Sequence, residues 1–125
     1  MPLTIEPVSN EGGVAEFSVS GRLDGSTSSR LETALRPVLE NENTRTIVLR
    51  MTGLDFISSS GIRVLIEAQN AVSARGGRVL LVDLQPQIQK VLEISKALPG
   101  ISVFRNADEM DEYLATIQRR IREGE

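Results

Sequence analysis

The sequence contains neither histidine nor cysteine, and these two absences remove most of the ordinary sites of catalysis and metal binding. Without histidine there is no side chain that titrates near neutral pH as a general base, and no Ser–His–Asp triad. Without cysteine there is no disulfide, thiol nucleophile or zinc–thiolate site. We therefore expect no metal, no cofactor and no enzymatic activity. A serine hydrolase would need a lysine or a carboxylate as its base, and neither of the two lysines, Lys90 and Lys96, lies in a motif near the serines.

Aromatic residues, excess charge and long apolar runs are also scarce. Aromatics make up 3% of the 125 residues, with no tryptophan, so the core must be aliphatic. The net charge of −3 offers no basic face for nucleic-acid phosphates, which argues against direct nucleic-acid binding. No segment approaches the roughly 20 apolar residues that span a bilayer, and the first residues do not resemble a signal peptide. We expect a cytoplasmic protein that does not insert into membranes.

Strand and helix patterns alternate along the chain. Alternation of period two marks strands near the N-terminus, uninterrupted aliphatic runs mark buried strands, and apolar residues at helical spacing mark helices. The predicted strands cover residues 3–8, 15–20, 46–51, 79–82 and 101–104, and predicted helices begin near residues 29, 60, 86 and 106. This order predicts one α/β domain over residues 1–125, with a mixed, mainly parallel sheet and about four helices packed on one side.

Several local features refine this prediction. Ser29 and Glu32 have the spacing of a capping box at the start of the first helix. Pro37 should kink that helix or end it early, because proline removes a helical hydrogen bond. Residues 21–28 and 52–60 are expected to be loops, which would place an apolar pair, Phe56 and Ile57, in the second of them.

The most informative segment is a cluster of three serines, Ser58, Ser59 and Ser60, followed by Gly61. It joins a predicted strand to the N-terminus of the second helix, where free backbone N–H groups emerge. Serine is a favoured N-cap residue, so capping alone is one interpretation. Three hydroxyls exceed what a cap requires, and a phosphate at a helix N-terminus would meet free amides and the positive end of the helix dipole. A phosphorylated serine is therefore the second interpretation.

These residues resemble the signature of the STAS family of bacterial anti-sigma factor antagonists, which reads roughly Asp-Ser-Ser/Thr-Gly-Leu before the same helix. Ser59 to Ile62 match the core of that signature, and Phe56 and Ile57 match the hydrophobic pair before it. Residues 21–24, Gly-Arg-Leu-Asp, resemble the family's Gly-Glu-Leu-Asp loop. One position departs from the pattern: Ser58 stands where the family usually has aspartate.

The resemblance implies a regulatory protein that works by partner switching. Ser59 matches the serine that an anti-sigma factor kinase phosphorylates with ATP and that a metal-dependent serine phosphatase resets; Ser58 and Ser60 are less favoured targets. The unphosphorylated form would bind the kinase and release its sigma factor. Asp24 matches a loop acid beside the phosphorylation site, although it could serve only the loop. The residues expected to contact the partner are Asp24, Thr27, Ser58, Ser60, Gly61, Ile62 and Arg63.

Ser58 in place of aspartate also keeps a second interpretation open. The chain could be a STAS adaptor that does not switch, as a subunit of a transporter or of a signalling complex. Whether the protein forms a homodimer is not decided by the sequence.

Overall fold

The computed structural model of the chain describes residues 2–95 and 102–104, together with Glu112 and Ala115. In this part of the chain there are six strands and three helices. The strands are β1 (Thr4–Glu11), β2 (Val14–Leu23), β3 (Thr46–Arg50), β4 (Leu54–Ile57), β5 (Arg78–Val82) and β6 (Ser102–Phe104). The helices are α1 (Ser28–Glu40), α2 (Ser59–Ser73) and α3 (Pro86–Ser95). The predicted fourth helix lies outside the described residues, apart from Glu112 and Ala115, which are helical.

The strands form one mixed sheet in the order β1-β2-β3-β5-β6. Strand β1 is antiparallel to β2, and the pairs β2–β3, β3–β5 and β5–β6 are all parallel. The prediction of a mixed, mainly parallel sheet is confirmed. Parallel neighbours require crossover connections, which α1, α2 and α3 provide because each follows one strand and precedes another.

The main core lies between the sheet and these three helices. All three contribute buried side chains to the same apolar cluster, which also contains alternate residues of the central strands. This places α1, α2 and α3 on one face of the sheet, as predicted from their single apolar stripes. The fully buried members include Leu31 and Leu35 of α1, Leu65 and Val72 of α2, and Ile47, Leu49, Val79 and Leu81 of the sheet.

The opposite face of the sheet carries a second, smaller apolar cluster. Val48, Leu80 and Val82 are buried there, and Val14 packs against them. Because strands β3 and β5 are buried on both faces, they need uninterrupted aliphatic runs rather than alternation. This explains the aliphatic sequences at residues 47–49 and 79–82.

Two predicted loops contain strand structure instead. Strand β4 lies inside the predicted loop 52–60, and β2 continues to Leu23, three residues into the predicted loop 21–28. These two segments pair with each other in parallel. The prediction missed them because β4 has only four residues, of which the middle two are exposed, so it shows neither alternation nor a buried run.

The start and end of α1 also differ from expectation. The helix begins at Ser28 with Thr27 in the N-cap position, so the capping box predicted at Ser29 is wrong. Pro37 does not end the helix early, since α1 continues to Glu40. The side chain of Pro37 is exposed and stands in the last turn. Because Pro37 has no backbone N–H, the helix loses only one hydrogen bond at this position.

Candidate functional site

The pairing of β2 with β4 brings two distant parts of the sequence together. Arg22 is in register with Phe56, and Leu23 with Ile57, so the two strands end side by side. The N–H of Ser58 continues the ladder by donating a hydrogen bond to the Leu23 carbonyl at 2.9 Å. The loop that follows β2 and the N-terminus of α2 therefore emerge from the same end of this strand pair. We call this region the switch site; it comprises residues 22–27 and 56–63.

Gly61 allows α2 to begin this close to β2. Gly61 is buried, and a β-carbon added to it would lie 2.7 Å from Leu23 Cγ and 3.0 Å from Ile57 Cγ1. Real side chains do not approach so closely, so only glycine lets the first turn of α2 rest on these two core residues. Gly61 thus sets the spacing between α2 and β2 at the site.

Ser58 occupies the N-cap position of α2, but it does not cap the helix. Its backbone is extended, with φ −105° and ψ 174°, and its side chain makes no hydrogen bond to the helix N-terminus. The Oγ atom is buried and has no hydrogen-bond partner among the described residues. The residue at the N-cap position therefore does not support the interpretation of the serine cluster as a helix cap. In the described structure, the Ser58 hydroxyl accepts no hydrogen bond from the N–H groups of the first turn of α2.

The remaining residues of the helix start differ in their accessibility. Ser59, the first residue of α2, is exposed, whereas Ser60 is half-buried. A β-carbon at Gly25 would lie 3.8 Å from Ser60 Oγ, so the loop after β2 borders Ser60. Ile62 is half-buried and packs against the core, and Arg63 is exposed.

A compact hydrogen-bond network organises the loop around Asp24. The Thr27 hydroxyl accepts the Asp24 N–H at 2.9 Å and donates to the Arg22 carbonyl at 2.7 Å. The Asp24 carboxylate accepts the N–H and the hydroxyl of Ser26, at 3.0 and 2.8 Å. Thr27 makes no side-chain cap bond to α1, because its hydroxyl is committed to the loop. Asp24 and Thr27, both predicted for the site, are thus held together beside the start of α2.

A sequence model of the STAS domain matches residues 7–110 of this chain. The chain belongs to the STAS domain family. That match includes β2, β4, α2 and every residue of the switch site.

Individual relatives and structures agree with this assignment. The chain is 26% identical over 106 residues to an anti-sigma F factor antagonist of Paenibacillus polymyxa, which covers 85% of this chain and 90% of the relative. The structure of the anti-sigma factor antagonist SpoIIAA in its unphosphorylated form matches 90% of this chain and 97% of its own, with a TM-score of 0.74 and 18% identity. The murine anion transporter Slc26a9 matches 86% of this chain over 18% of its own length, with a TM-score of 0.70 and 16% identity. These structural likenesses establish the fold.

Two exposed residues of this STAS domain belong to the switch site and were not predicted for it. The guanidinium carbon of Arg22 lies 4.0 Å from the centre of the Phe56 ring, and its Nε lies 3.7 Å from an oxygen of Asp24. The Arg22 side chain is 45% exposed and Phe56 37%. Stacked arginine and aromatic groups are frequent in protein interfaces. Arg22 and Phe56 share a surface only because β2 pairs with β4, and the sequence did not reveal this pairing.

Other kinds of site find no support among the residues that the structure describes. They contain no group of three or more side chains suited to hold a metal ion. None of their helices is long and apolar enough to cross a membrane.

The hydrogen bonds from Ser26 lower the pKa of the Asp24 carboxyl group. Both bonds favour the charged carboxylate and hold the pKa of Asp24 below its usual value of 3.8, with a smaller contribution from Thr27. Because the pKa of Asp24 is lowered, this network stabilises the folded protein at pH values above the ordinary pKa, and the contribution is lost as the pH falls through the lowered value.

We expect Ser26→Ala to raise the pKa of Asp24 towards 3.8, measured by carboxyl NMR titration. Ser29→Ala, at an exposed position without such a bond, should leave that pKa unchanged; an equal rise in both variants would contradict this account.

Proposed function

We propose that this STAS domain is an anti-sigma factor antagonist that binds an anti-sigma factor kinase and is switched off when that kinase phosphorylates Ser59. A serine phosphatase would restore the binding form. The name of the Paenibacillus relative supports the general role, and a cytoplasmic location belongs to the same proposal. SpoIIAA, whose fold this chain shares, is known in unphosphorylated and phosphorylated forms, which supports a phosphorylation switch on this fold.

The observation that carries the proposal is the difference in exposure among the three serines. A kinase must bring the target oxygen into its own active site, so the oxygen has to be accessible. Ser59 is exposed, Ser60 is half-buried and borders the Gly25 loop, and the Ser58 oxygen is buried. This ranking favours Ser59 over its neighbours, which the sequence left as weaker alternatives.

The start of α2 can also accept the product of the reaction. Phosphorylation adds about −1.5 to −2 charges at neutral pH. The helix has 15 residues, and its first free N–H groups and dipole favour an anion at Ser59. The antagonist therefore stays folded, while a partner docked over the same patch would have to bury a doubly charged group at a high desolvation cost. Binding would be lost without a change of fold.

A phosphorylation assay tests this proposal directly. We expect the purified protein, incubated with the anti-sigma factor kinase of its own organism and ATP, to gain one phosphate on Ser59. Trypsin should release residues 51–63 as one peptide that contains all three serines, so fragment-ion mass spectrometry must assign the position. Ser59→Ala should abolish the modification.

Matched variants decide between the three hydroxyls. Ser58→Ala and Ser60→Ala remove the other two and should both still be phosphorylated. Phosphate on Ser58 or Ser60 in the wild-type protein would overturn the assignment to Ser59. No phosphate on the 51–63 peptide, with a kinase that binds the protein and hydrolyses ATP, would overturn the switch itself.

A STAS adaptor that binds without switching is the second candidate function. The observation that favours it is Ser58, a neutral residue with a buried hydroxyl where the family usually has a carboxylate, because a kinase that reads this carboxylate would not find it here. The shared fold with a domain of the transporter Slc26a9 shows that such a module occurs within a membrane protein. Under this proposal the protein would bind its partner equally well with Ser59 modified or unmodified.

A further inference from the structure

The switch site contains a cation at a distinctive position relative to Ser59. Arg63 is exposed and lies four residues after Ser59 in the same helix. Residues four apart on a helix lie about 6 Å from each other between their β-carbons. Helical side chains also point back towards the N-terminus, so a long residue covers the turn before its own. The guanidinium group of Arg63 can therefore reach the side chain of Ser59.

Nothing in the described structure already neutralises Arg63. It makes no salt bridge with any described residue, whereas Arg22 and Arg50 both do. Its nearest acidic neighbour by helical spacing is Glu67, one turn towards the C-terminus; the two form no salt bridge in the described structure, and a cation placed N-terminal to the acid is the less favourable order. The charge of Arg63 is thus available at the surface of the unmodified protein.

Other charged residues lie on the two strands, and on the loop, that lead into the switch site. Asp55 lies on β4 and is exposed, and Asp24 with Arg22 lies on the strand and loop of β2. The Arg22 cation is already engaged by Asp24 and by the ring of Phe56. Arg63 is therefore the cation of the switch site that lies on the same helix as Ser59 and has no competing contact among the described residues.

We propose, building on the function proposed above, that Arg63 is the internal counter-ion of phosphorylated Ser59. The phosphate and the guanidinium form a charge-assisted pair across one turn of α2, in the favourable order with the anion nearer the N-terminus. Phosphorylation then acts twice on the partner: it adds a dianion to the docking surface and withdraws the cation that Arg63 presents there in the unmodified protein. Arg63 is a positioning and charge-pairing residue, without a role in the transfer chemistry.

The test uses full-length protein with phosphoserine incorporated at position 59 during synthesis, so that it does not depend on any kinase. A nearby cation favours the dianionic phosphate and lowers its second pKa, which is ordinarily about 6. We expect the phosphate of Arg63→Ala to titrate about 0.5 unit higher than that of the wild type in ³¹P NMR at low salt. Arg63→Lys should recover most of the difference, and high salt should shrink it.

Arg45→Ala supplies the matched control, because Arg45 is exposed and lies before β3, at the opposite end of the parallel strands from the switch site. This variant loses the same charge and should leave the phosphate pKa at the wild-type value. Equal titration of the wild type and Arg63→Ala would overturn the pairing, as would an equal rise in Arg45→Ala. The titration and the kinase assay at Ser59 are independent tests. The phosphoserine is incorporated during synthesis, so a kinase that fails to act cannot alter its titration.

Discussion

Gly61→Val is expected to lower the free energy of unfolding by about 3 kcal/mol, at the upper end of the usual range for overpacking a core. The new β-carbon would lie 2.7 Å from Leu23 Cγ and 3.0 Å from Ile57 Cγ1. Leu23 is fully buried and Ile57 almost so, which leaves neither side chain free to move aside. The slight gain in helix propensity over glycine is too small to compensate. Urea denaturation followed by circular dichroism measures the loss.

Gly25→Ala is the appropriate comparison, because it adds a β-carbon within the same site. That atom would lie at an ordinary contact distance of 3.8 Å from Ser60 Oγ, and Gly25 does not have the positive φ that excludes other residues. We expect its stability to stay within about 0.5 kcal/mol of the wild type. If Gly61→Val were as stable as Gly25→Ala, the close packing of α2 on Leu23 would not be what sets the geometry of the site.

Ser59→Asp is expected to weaken binding to the anti-sigma factor kinase about 100-fold, because a fixed anion placed in the docking surface must be desolvated on binding and also engages Arg63, as proposed above. Ser59 is exposed at the first position of α2, so the substitution should leave the fold intact. Isothermal titration calorimetry with the nucleotide-bound kinase gives the two affinities. Thermal unfolding of the variant alone verifies that lost binding does not come from lost structure.

The neutral variant Ser59→Asn separates charge from size. Asparagine has nearly the shape of aspartate, so it reports the steric part of the effect, which we expect to be less than tenfold. Equal affinities for Ser59→Asp and the wild type would exclude the switch and favour the adaptor. Equal losses in the two variants would mean that the surface rejects bulk and not charge.

The fold was largely predictable because its main signals are local. Uninterrupted runs such as residues 47–49 require a sheet that is buried on both faces, and single apolar stripes on the helices place them on one side of it. The family resemblance, carried by residues 59–62, then fixed the type of α/β domain. The structure confirms both the mixed sheet and the shared side of the three described helices.

The detailed construction of the site was not predictable from the sequence, since it depends on long-range pairing. Strand β4 gains its hydrogen bonds from the end of β2, about 30 residues earlier in the chain, and without that partner its four residues have no distinctive pattern. For the same reason Arg22 and Phe56 were not recognised as neighbours. The capping box predicted at Ser29 was wrong because tertiary contacts set the helix starts: the Thr27 hydroxyl is used by the loop, and at α2 the Ser58 N–H is bound to Leu23.

The in-register pairing of β2 and β4 also has an evolutionary consequence. Leu23 and Ile57 are buried in the core, while their immediate neighbours Arg22 and Phe56 are exposed at the proposed docking surface. Under the proposed function, we expect substitutions at this exposed pair to change the affinity for the partner at little cost in stability. If the partner is a kinase, as proposed, a duplicated copy of this gene would diverge towards a new kinase by single substitutions, and cross-talk between the two copies would fall while both continued to fold.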